Sequence, residues 1–181
     1  MEIIKTNIEG LLIIEPKVFR DERGYFFETF NEKQWNSFFK NPPTFVQDNE
    51  SLSKKHVLRG LHFQAPPFAQ GKLVRVTQGS VIDVAVDLRK NSPTYGNHVK
   101  VLLNDSNLKQ FYIPPGFAHG FIALEDNTRF SYKCTDFYNK DSEGSLLWND
   151  PDLNIDWGVN NPITSDKDSK SITFAKFDTP F

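Results

Sequence analysis

The sequence contains a single cysteine, Cys134, among its 181 residues. An internal disulfide is therefore impossible, which suits a reducing compartment such as the cytoplasm. It also lacks any run of about 18 apolar residues, so it predicts no membrane-spanning helix. The first ten residues carry charges at Glu2, Lys5 and Glu9 where a secretion signal would have an apolar core. We therefore expect a cytoplasmic protein.

The sequence also lacks an excess of charge of either sign. It has 21 basic and 23 acidic residues, a net charge of −2 and a pI near 6.1. This balance argues against nucleic acid or an anionic membrane as the main partner. Repeats, low-complexity segments and linkers are absent as well, and the length is typical of one domain. We expect residues 1–181 to form a single domain.

Helical patterns are rare, and strand patterns dominate. Only residues 32–40 predict a helix, with Asn31 as its N-cap and Gln34 as a capping-box partner. Alternating or apolar segments between turn signals predict eleven strands, at 11–16, 25–30, 44–49, 57–63, 72–78, 80–88, 98–104, 108–113, 119–125, 129–137 and 145–148. The tail after about residue 150 looks irregular. This pattern indicates an all-β fold, a jelly-roll sandwich or barrel with few short helices, whose interior can hold one small ligand.

Polar side chains interrupt the most apolar part of the sequence, residues 57–76. In a regular strand Arg59 and His62 lie on opposite faces, so they serve one site only if the alternation breaks. Gly60 can host the bulge that this requires; without the bulge, Arg59 is simply solvated. His62 lies between two apolar residues and is either a core histidine with a satisfied ring or a general base.

Two further polar residues have the same two interpretations. Lys72 shares a strand face with valines, so it either extends its stem outward or meets an anionic or enolate-like group inside. Tyr132 shares a face with Phe130 and Cys134. It is either an ordinary buried aromatic with a satisfied hydroxyl or the acid that complements His62 in a two-sided proton transfer.

The segment IPPGFAHGF (113–121) contains a P-x-G-x-x-H pattern that resembles the second histidine motif of the cupin superfamily. The first cupin motif would place H-x-H and then a glutamate around His62. Here Gln64 replaces the second histidine, and no glutamate follows in that strand. Metal-binding cupins use three histidines and a carboxylate as ligands. The sequence therefore predicts a cupin fold without a metal or other cofactor.

Many longer segments, in the same order, are similar to the dTDP-4-dehydrorhamnose 3,5-epimerase family of cupin-fold enzymes. They are EPKVFRDERGYFFETF (15–30), FVQDN (45–49), VLRGLHFQ (57–64), AQGKLVRV (69–76), DVAVDLR (83–89), IPPGFAHGF (113–121), YKCTDFY (132–138), LLWNDPDLNIDW (146–157) and SDKD (165–168). The resemblance implies a nucleotide-diphospho 4-keto-6-deoxysugar as substrate, inverted at carbons 3 and 5 without a cofactor, for surface polysaccharide synthesis.

The resemblance also implies roles for individual residues. His62 is the base, Asp168 orients it, Tyr132 is the acid on the opposite face, and Lys72 stabilises the enolate oxygen. Further residues are expected in the diphosphate, sugar and nucleotide subsites: Arg59 on the diphosphate, His119 in the sugar pocket, and Phe19, Arg23, Phe26, Glu28, Gln47, Asn49, Tyr138, Glu143 and Lys167 around them. Some of these are expected to reach across a homodimer formed by strand exchange, above all Arg23 and Phe26.

Two departures from the family pattern lie near the tail. Gly158 and Val159 stand where members often have Trp-Pro after Trp157, and the link to SDKD is about one residue short. The choice of Asp168 over Asp166 therefore rests on aligning the Lys-Asp pair.

The sequence leaves other functions open. They are the same chemistry on another nucleotide sugar such as a GDP-4-keto-heptose, inversion at one carbon only, a 3,4-ketoisomerase, and a non-catalytic sugar-nucleotide-binding cupin.

Overall fold

The computed structural model describes all of residues 1–181. Thirteen strands and two short helices follow one another along the chain. The strands are β1 (Glu2–Lys5), β2 (Leu12–Glu15), β3 (Phe19–Asp21), β4 (Gly24–Phe26), β5 (Gln47–Ser53), β6 (Leu58–Gln64), β7 (Lys72–Gln78), β8 (Ser80–Asp87), β9 (His98–Asn104), β10 (Gln110–Ile113), β11 (Phe117–Ala123), β12 (Thr128–Cys134) and β13 (Glu143–Ser145). The helices are α1 (Glu32–Asn36) and α2 (Asp166–Ser169), with 3-10 turns at Lys140–Ser142 and Phe174–Lys176.

Two antiparallel sheets form a sandwich. The first has the strand order β1-β2-β10-β7-β12-β5, and the second has β13-β6-β11-β8-β9. Strands β3 and β4 form a separate two-stranded ribbon. Apolar side chains of both sheets interdigitate between them, including Val74, Phe111 and Phe130 from the first sheet and Val81 and Phe121 from the second. The all-β, cupin-type jelly roll expected from the sequence is confirmed.

The outer faces of both sheets are covered by chain outside the sandwich. On the first sheet, Trp35 of α1 packs against Tyr112, with ring centroids 5.0 Å apart. On the second sheet, the tail after residue 146 lays Leu153 and Trp157 against strands β6, β8 and β11. The tail is therefore part of the packed structure, and this packing carries α2 to the sheet edge. None of the helices is long and apolar enough to cross a membrane.

Several predicted boundaries are wrong. The helix ends at Asn36 instead of residue 40, because the Ser37 hydroxyl donates to the Gln34 carbonyl at 2.7 Å and so competes with further helical hydrogen bonding. Of the strand predicted at 25–30, only Tyr25 and Phe26 lie in a strand, at the end of β4, and residues 27–30 are in no strand. The strand predicted at 44–49 runs from 47 to 53, because the polar segment Gln47–Ser53 pairs along the whole of β12. The last strand covers 143–145 rather than 145–148, and β1 was not predicted at all.

Candidate active site

A cavity of about 430 Å³ opens between the two sheets. Seven of the residues predicted from the sequence line it, namely Arg59, His62, Lys72, His119, Tyr132, Lys167 and Asp168. The second sheet supplies the two histidines, on β6 and β11, and the first sheet supplies Lys72 and Tyr132, on β7 and β12. A flat molecule in the cavity therefore has His62 on one side and Tyr132 on the other.

A bulge in β6 brings Arg59 and His62 to the same cavity. His62 pairs with His119 and Arg59 pairs with Phe121, so three steps of β6 face two steps of β11. Gly60 lies inside this bulge with φ of +134°, and a Cβ there would be 2.5 Å from the Gly120 Cα. Only glycine fits both the backbone conformation and the close approach. Of the two alternatives that the sequence left open, the structure has the break in alternation at Gly60.

His62 and Asp168 form a close pair at the cavity wall. The His62 Nε2 lies 2.6 Å from Asp168 Oδ1, and the Asp168 side chain is only 4% exposed. Burial alone would raise the pKa of Asp168, but the hydrogen bond from His62 and that imidazole's charge outweigh it and lower the pKa. The carboxylate is thus ionised at neutral pH and holds the Nε2 proton, which leaves Nδ1 without a protein partner.

Lys72 enters the cavity without an ion pair. It begins β7, is partly buried, and lies directly opposite Cys134 on β12. Burial lowers the pKa of Lys72, while the charges of Cys134, Asp83 and Glu143 oppose that effect from a distance. An amine in this position is available to a ligand, because no carboxylate in the protein neutralises it at close range.

Tyr132 lies on the opposite wall from His62. Its ring packs 6.0 Å from that of Phe130. Burial raises the pKa of Tyr132 and Cys134 adds to this, although Arg59 opposes it. The phenol is therefore protonated at neutral pH and can act as a hydrogen-bond donor or an acid.

A second histidine–carboxylate pair lies beside the first. His119 Nε2 is 2.9 Å from Asp83 Oδ2, and both side chains are almost completely buried. Burial lowers the pKa of His119, against the opposing influence of Asp83. The other oxygen of this carboxylate, Asp83 Oδ1, has no hydrogen-bond partner in the protein.

Comparison with known proteins gives a consistent result. The family model described as dTDP-4-dehydrorhamnose 3,5-epimerase matches residues 5–176. The chain belongs to this family. A dTDP-4-dehydrorhamnose 3,5-epimerase from Shigella flexneri is 53% identical over 178 residues, covering 98% of each chain.

Solved structures of family members have the same fold. The enzyme from Elizabethkingia anophelis superposes with a TM-score of 0.93 at 50% identity, covering 97% of each chain. A dTDP-6-deoxy-D-glucose 3,5-epimerase from Legionella pneumophila, in complex with dTDP-4-keto-L-rhamnose, has a TM-score of 0.93 at 48% identity and covers 98% of this chain and 94% of its own. The match extends over the whole sandwich, including the tail.

Four of the family-derived residues form a hydrogen-bonded rim near the cavity. Gln47 Nε2 donates to Asn49 Oδ1 at 3.1 Å, and the backbone N–H of Tyr138 donates to Gln47 Oε1 at 3.0 Å. The Tyr138 hydroxyl in turn donates to Glu143 at 3.1 Å. The first sheet and the segment before β13 are therefore connected at this rim, and Tyr138 remains 57% exposed.

The other four residues that the resemblance assigned lie elsewhere in the chain. Phe19, Arg23 and Phe26 lie on the β3–β4 ribbon, and Glu28 follows it; none of the four lines the cavity. Phe19 and Phe26 are 53% and 67% exposed, and Arg23 pairs with Asp21. One chain by itself does not bring these residues to His62.

The position of the second metal-binding histidine of cupins is occupied here by Gln64, whose side chain bonds backbone groups of nearby loops. Gln64, which replaces the second histidine, is 5% exposed and donates to the carbonyls of Phe68 and Phe137 at 2.6 and 3.2 Å. Its oxygen accepts from the backbone N–H of Asn139 at 2.8 Å. This amide ties two loops together. No three histidine, cysteine or acidic side chains are arranged to hold a metal.

Sequence reasoning missed two features of the site. Asp83 was not singled out within the strand predicted at 80–88, yet it is fully buried and its carboxylate lies 2.9 Å from His119 Nε2. The available signal was the run of apolar residues on both sides of Asp83, at 81–82 and 84–86. Ile163, Thr164 and Ser165 also line the cavity. They come from the tail, whose irregular sequence gave no sign of where it packs.

Proposed function

We propose that the chain inverts the carbons on both sides of the ketone of a dTDP-4-keto-6-deoxy sugar, converting dTDP-4-dehydro-6-deoxyglucose to dTDP-4-dehydrorhamnose. The observation that carries this proposal is the placement of His62 and Tyr132 on opposite walls of one cavity. Inversion at a carbon requires a proton to leave one face and another to arrive at the opposite face. A base and an acid on facing sheets have the required arrangement.

His62 is the base in this proposal. A hydrogen on a carbon next to a ketone is acidic because the resulting carbanion delocalises into an enolate. Asp168 holds the Nε2 proton, so Nδ1 is the nitrogen that accepts the proton from carbon. The buried carboxylate also stabilises the imidazolium that forms.

Lys72 and Tyr132 complete the reaction. The Lys72 ammonium has no ion-pair partner, so it can meet the negative charge that develops on the ketone oxygen. Tyr132 then donates its proton to the carbon from the face opposite His62. Proton exchange with water then returns His62 to its neutral form and Tyr132 to its phenol, so the same groups can serve the second carbon, since both carbons flank one ketone. No cofactor is needed for either step.

The mouth of the cavity suits a diphosphate. Arg59 lies there exposed, bonded to Ser53 and the carbonyl of Leu52 but to no carboxylate. A guanidinium without an acidic partner is well suited to a phosphate. Tyr138 and the family-derived residues of the ribbon would then hold the nucleoside beyond the diphosphate.

We also propose that the active form is a homodimer, in which the β3–β4 ribbon of one chain completes the cavity of the other. The exposed Phe19, Arg23 and Phe26 on this ribbon support the proposal, because aromatic and arginine side chains are enriched at protein interfaces.

The function is tested by NMR of candidate 4-keto sugar nucleotides incubated with the protein in deuterated water. We expect deuterium at carbons 3 and 5 with inversion at both, and the same rate after prolonged chelation.

Inversion at one carbon would indicate a mono-epimerase, and migration of the ketone would indicate a ketoisomerase. If a GDP-linked substrate reacted faster than the dTDP-linked one, the natural substrate would carry GDP instead of dTDP. Binding of the nucleotide sugar without deuterium exchange would mean that the protein is a non-catalytic sugar-nucleotide-binding cupin. Activity that depends on added metal would contradict the cofactor-free mechanism.

The dimer is tested by mixing two impaired variants, Arg23→Ala and His62→Asn. A mixed dimer contains one cavity with His62 from one chain and Arg23 from the other. Activity well above that of either variant alone is expected. A mixture no more active than its parts, or a fully active monomer in sedimentation, would contradict ribbon exchange.

A further inference from the structure

Helix α2 carries Asp168 but is only four residues long. The backbone bonds that tie its neighbourhood to the rest of the fold lie on either side of it. Before the helix, Leu58 N–H donates to the Ile163 carbonyl at 2.9 Å; after it, Leu147 N–H donates to the Ile172 carbonyl at 2.9 Å. Within the helix, side chains provide the contacts to the second sheet.

Two neighbouring side chains of α2 make those contacts. Asp168 bonds His62 on β6, and Lys167 Nζ lies 2.6 Å from Glu143 Oε2 at the start of β13. Strand β13 is the neighbour of β6, and Ser145 on it pairs with His62. The Lys167–Glu143 pair therefore spans the same gap as the Asp168–His62 pair, one residue away.

Glu143 is well placed for this contact. Its side chain is 23% exposed, and the same oxygen that meets Lys167 also accepts from the Tyr138 hydroxyl. Burial alone would raise the pKa of Glu143, but the hydrogen bond and charge of Lys167 lower it, with help from Tyr138. The acceptor is thus ionised and held from two directions.

We propose that Lys167 is a positioning residue, whose ion pair with Glu143 holds α2 against the sheet so that Asp168 stays on His62. This inference rests on the proposed role of Asp168. Without the ion pair, α2 would be held only by the contacts of Asp168 with His62 and the Gly60 backbone, and by the hydrogen bond at 2.8 Å from Ser171, just after the helix, to Ser145. A catalytic carboxylate displaced by about 1 Å can lower a rate by as much as 10²-fold.

The structural test uses substrate-free protein. Proton NMR should show downfield ring N–H signals for His62 and His119, assigned by the loss of the first in His62→Asn. In Lys167→Met and Glu143→Gln we expect the His62 signal to broaden or disappear, while the His119 signal remains. The matched control is Lys170→Met, because Lys170 is exposed at the end of the same helix and forms no ion pair. The double exchange Lys167→Glu with Glu143→Lys should restore the signal.

The kinetic test separates positioning from substrate binding. We expect Lys167→Met to lower kcat about tenfold with little change in KM, Lys167→Arg to retain activity, and Lys170→Met to behave as wild type. A higher KM with unchanged kcat and an intact His62 signal would overturn the proposal and make Lys167 a substrate contact. If the wild type itself is inactive, the proposed function fails, and the NMR signals still decide whether the ion pair positions Asp168.

Discussion

Two buried polar sites in this protein lie on the same strand, β8, and differ in how completely they are satisfied. At its end, Asp87 is 0% exposed and accepts hydrogen bonds from Arg89, Ser92 and Thr94 at 2.6 to 2.8 Å. Four residues earlier, Asp83 is equally buried, but one of its oxygens has no partner. In the Asp87 turn (Asp87, Arg89, Ser92 and Thr94) both carboxylate oxygens have hydrogen-bond partners within the protein. In the cavity, one oxygen of Asp83 has none.

The incompleteness extends across the cavity. Lys72 and Arg59 have no carboxylate partner there, and no hydrogen bond involves the Tyr132 hydroxyl. Leaving such groups without partners reduces the stability of the folded state. The groups in the cavity that have no protein partner remain available to pair with a ligand, whereas those of the Asp87 turn do not. The difference teaches that burial of a polar group alone does not mark a functional site. A single buried group without a partner does not either, since Trp35 Nε1 also lacks one; several groups without partners around one cavity do.

The largest expected effect comes from removing the base. His62→Asn should abolish both epimerisation and the exchange of substrate C–H for solvent deuterium, because it removes the proposed base, and the other histidine of that wall, His119, is engaged by Asp83. General-base catalysis typically contributes 10² to 10⁴-fold. The measurement is deuterium incorporation by NMR with the folded state checked by circular dichroism. Exchange near the wild-type rate would place the base elsewhere.

A smaller loss is expected from the carboxylate behind the base. Asp168→Asn should lower turnover by about 10²-fold, since the ring loses the partner that fixes its tautomer and stabilises its charged form. Asp166→Asn is the matched control, because Asp166 lies two residues away on the same helix and is exposed. Steady-state kinetics of both variants provide the comparison. The opposite ranking would mean that the alignment of the Lys-Asp pair is wrong.

The smallest effect on activity is expected at the Asp87 turn. Burial alone would raise the pKa of Asp87, but its hydrogen bonds from Arg89, Ser92 and Thr94 lower it to about 2. A carboxylate whose pKa is lower in the folded state than in the unfolded state stabilises the fold above the unfolded pKa, and loses that contribution as the pH falls. Asp87→Asn should therefore reduce the free energy of unfolding at pH 7 by about 2 kcal/mol, with kcat unchanged.

Urea unfolding at several pH values checks this prediction. The difference between wild type and Asp87→Asn should narrow as the pH is lowered from about 5 to about 2. A difference that is independent of pH, or a loss of activity without loss of stability, would mean that the Asp87 turn does more than stabilise the fold.

Much of the fold was predictable because short-range patterns agree with the final pairing. Strands β7 and β9 have the predicted bounds, and in β9 the alternation of the sequence matches the exposure. The bulge at Gly60 was predictable because glycine stands between two polar residues of opposite parity. The family resemblance then supplied the pairing of His62 with Asp168, which are 106 residues apart and which no local pattern could connect.

The features that were missed depend on packing over long sequence distances. Strand β5 includes polar residues of low strand propensity, and its pairing with β12 overrides that preference. The tail has no periodic pattern, yet Ile163 pairs with Val57 and so brings α2 to the cavity. The role of Asp83 likewise becomes visible only when β11 places His119 beside it.

The central claim is that His62 and Tyr132 act from opposite faces of the substrate, and Tyr132→Phe tests it most directly. This variant keeps the base, so the enolate still forms and can be reprotonated by His62 from the face that lost the proton. In deuterated water, NMR should show deuterium entering carbons 3 and 5 while most of the inversion is lost. A Tyr132→Phe protein that inverts both carbons at a rate near that of the wild type would contradict the account.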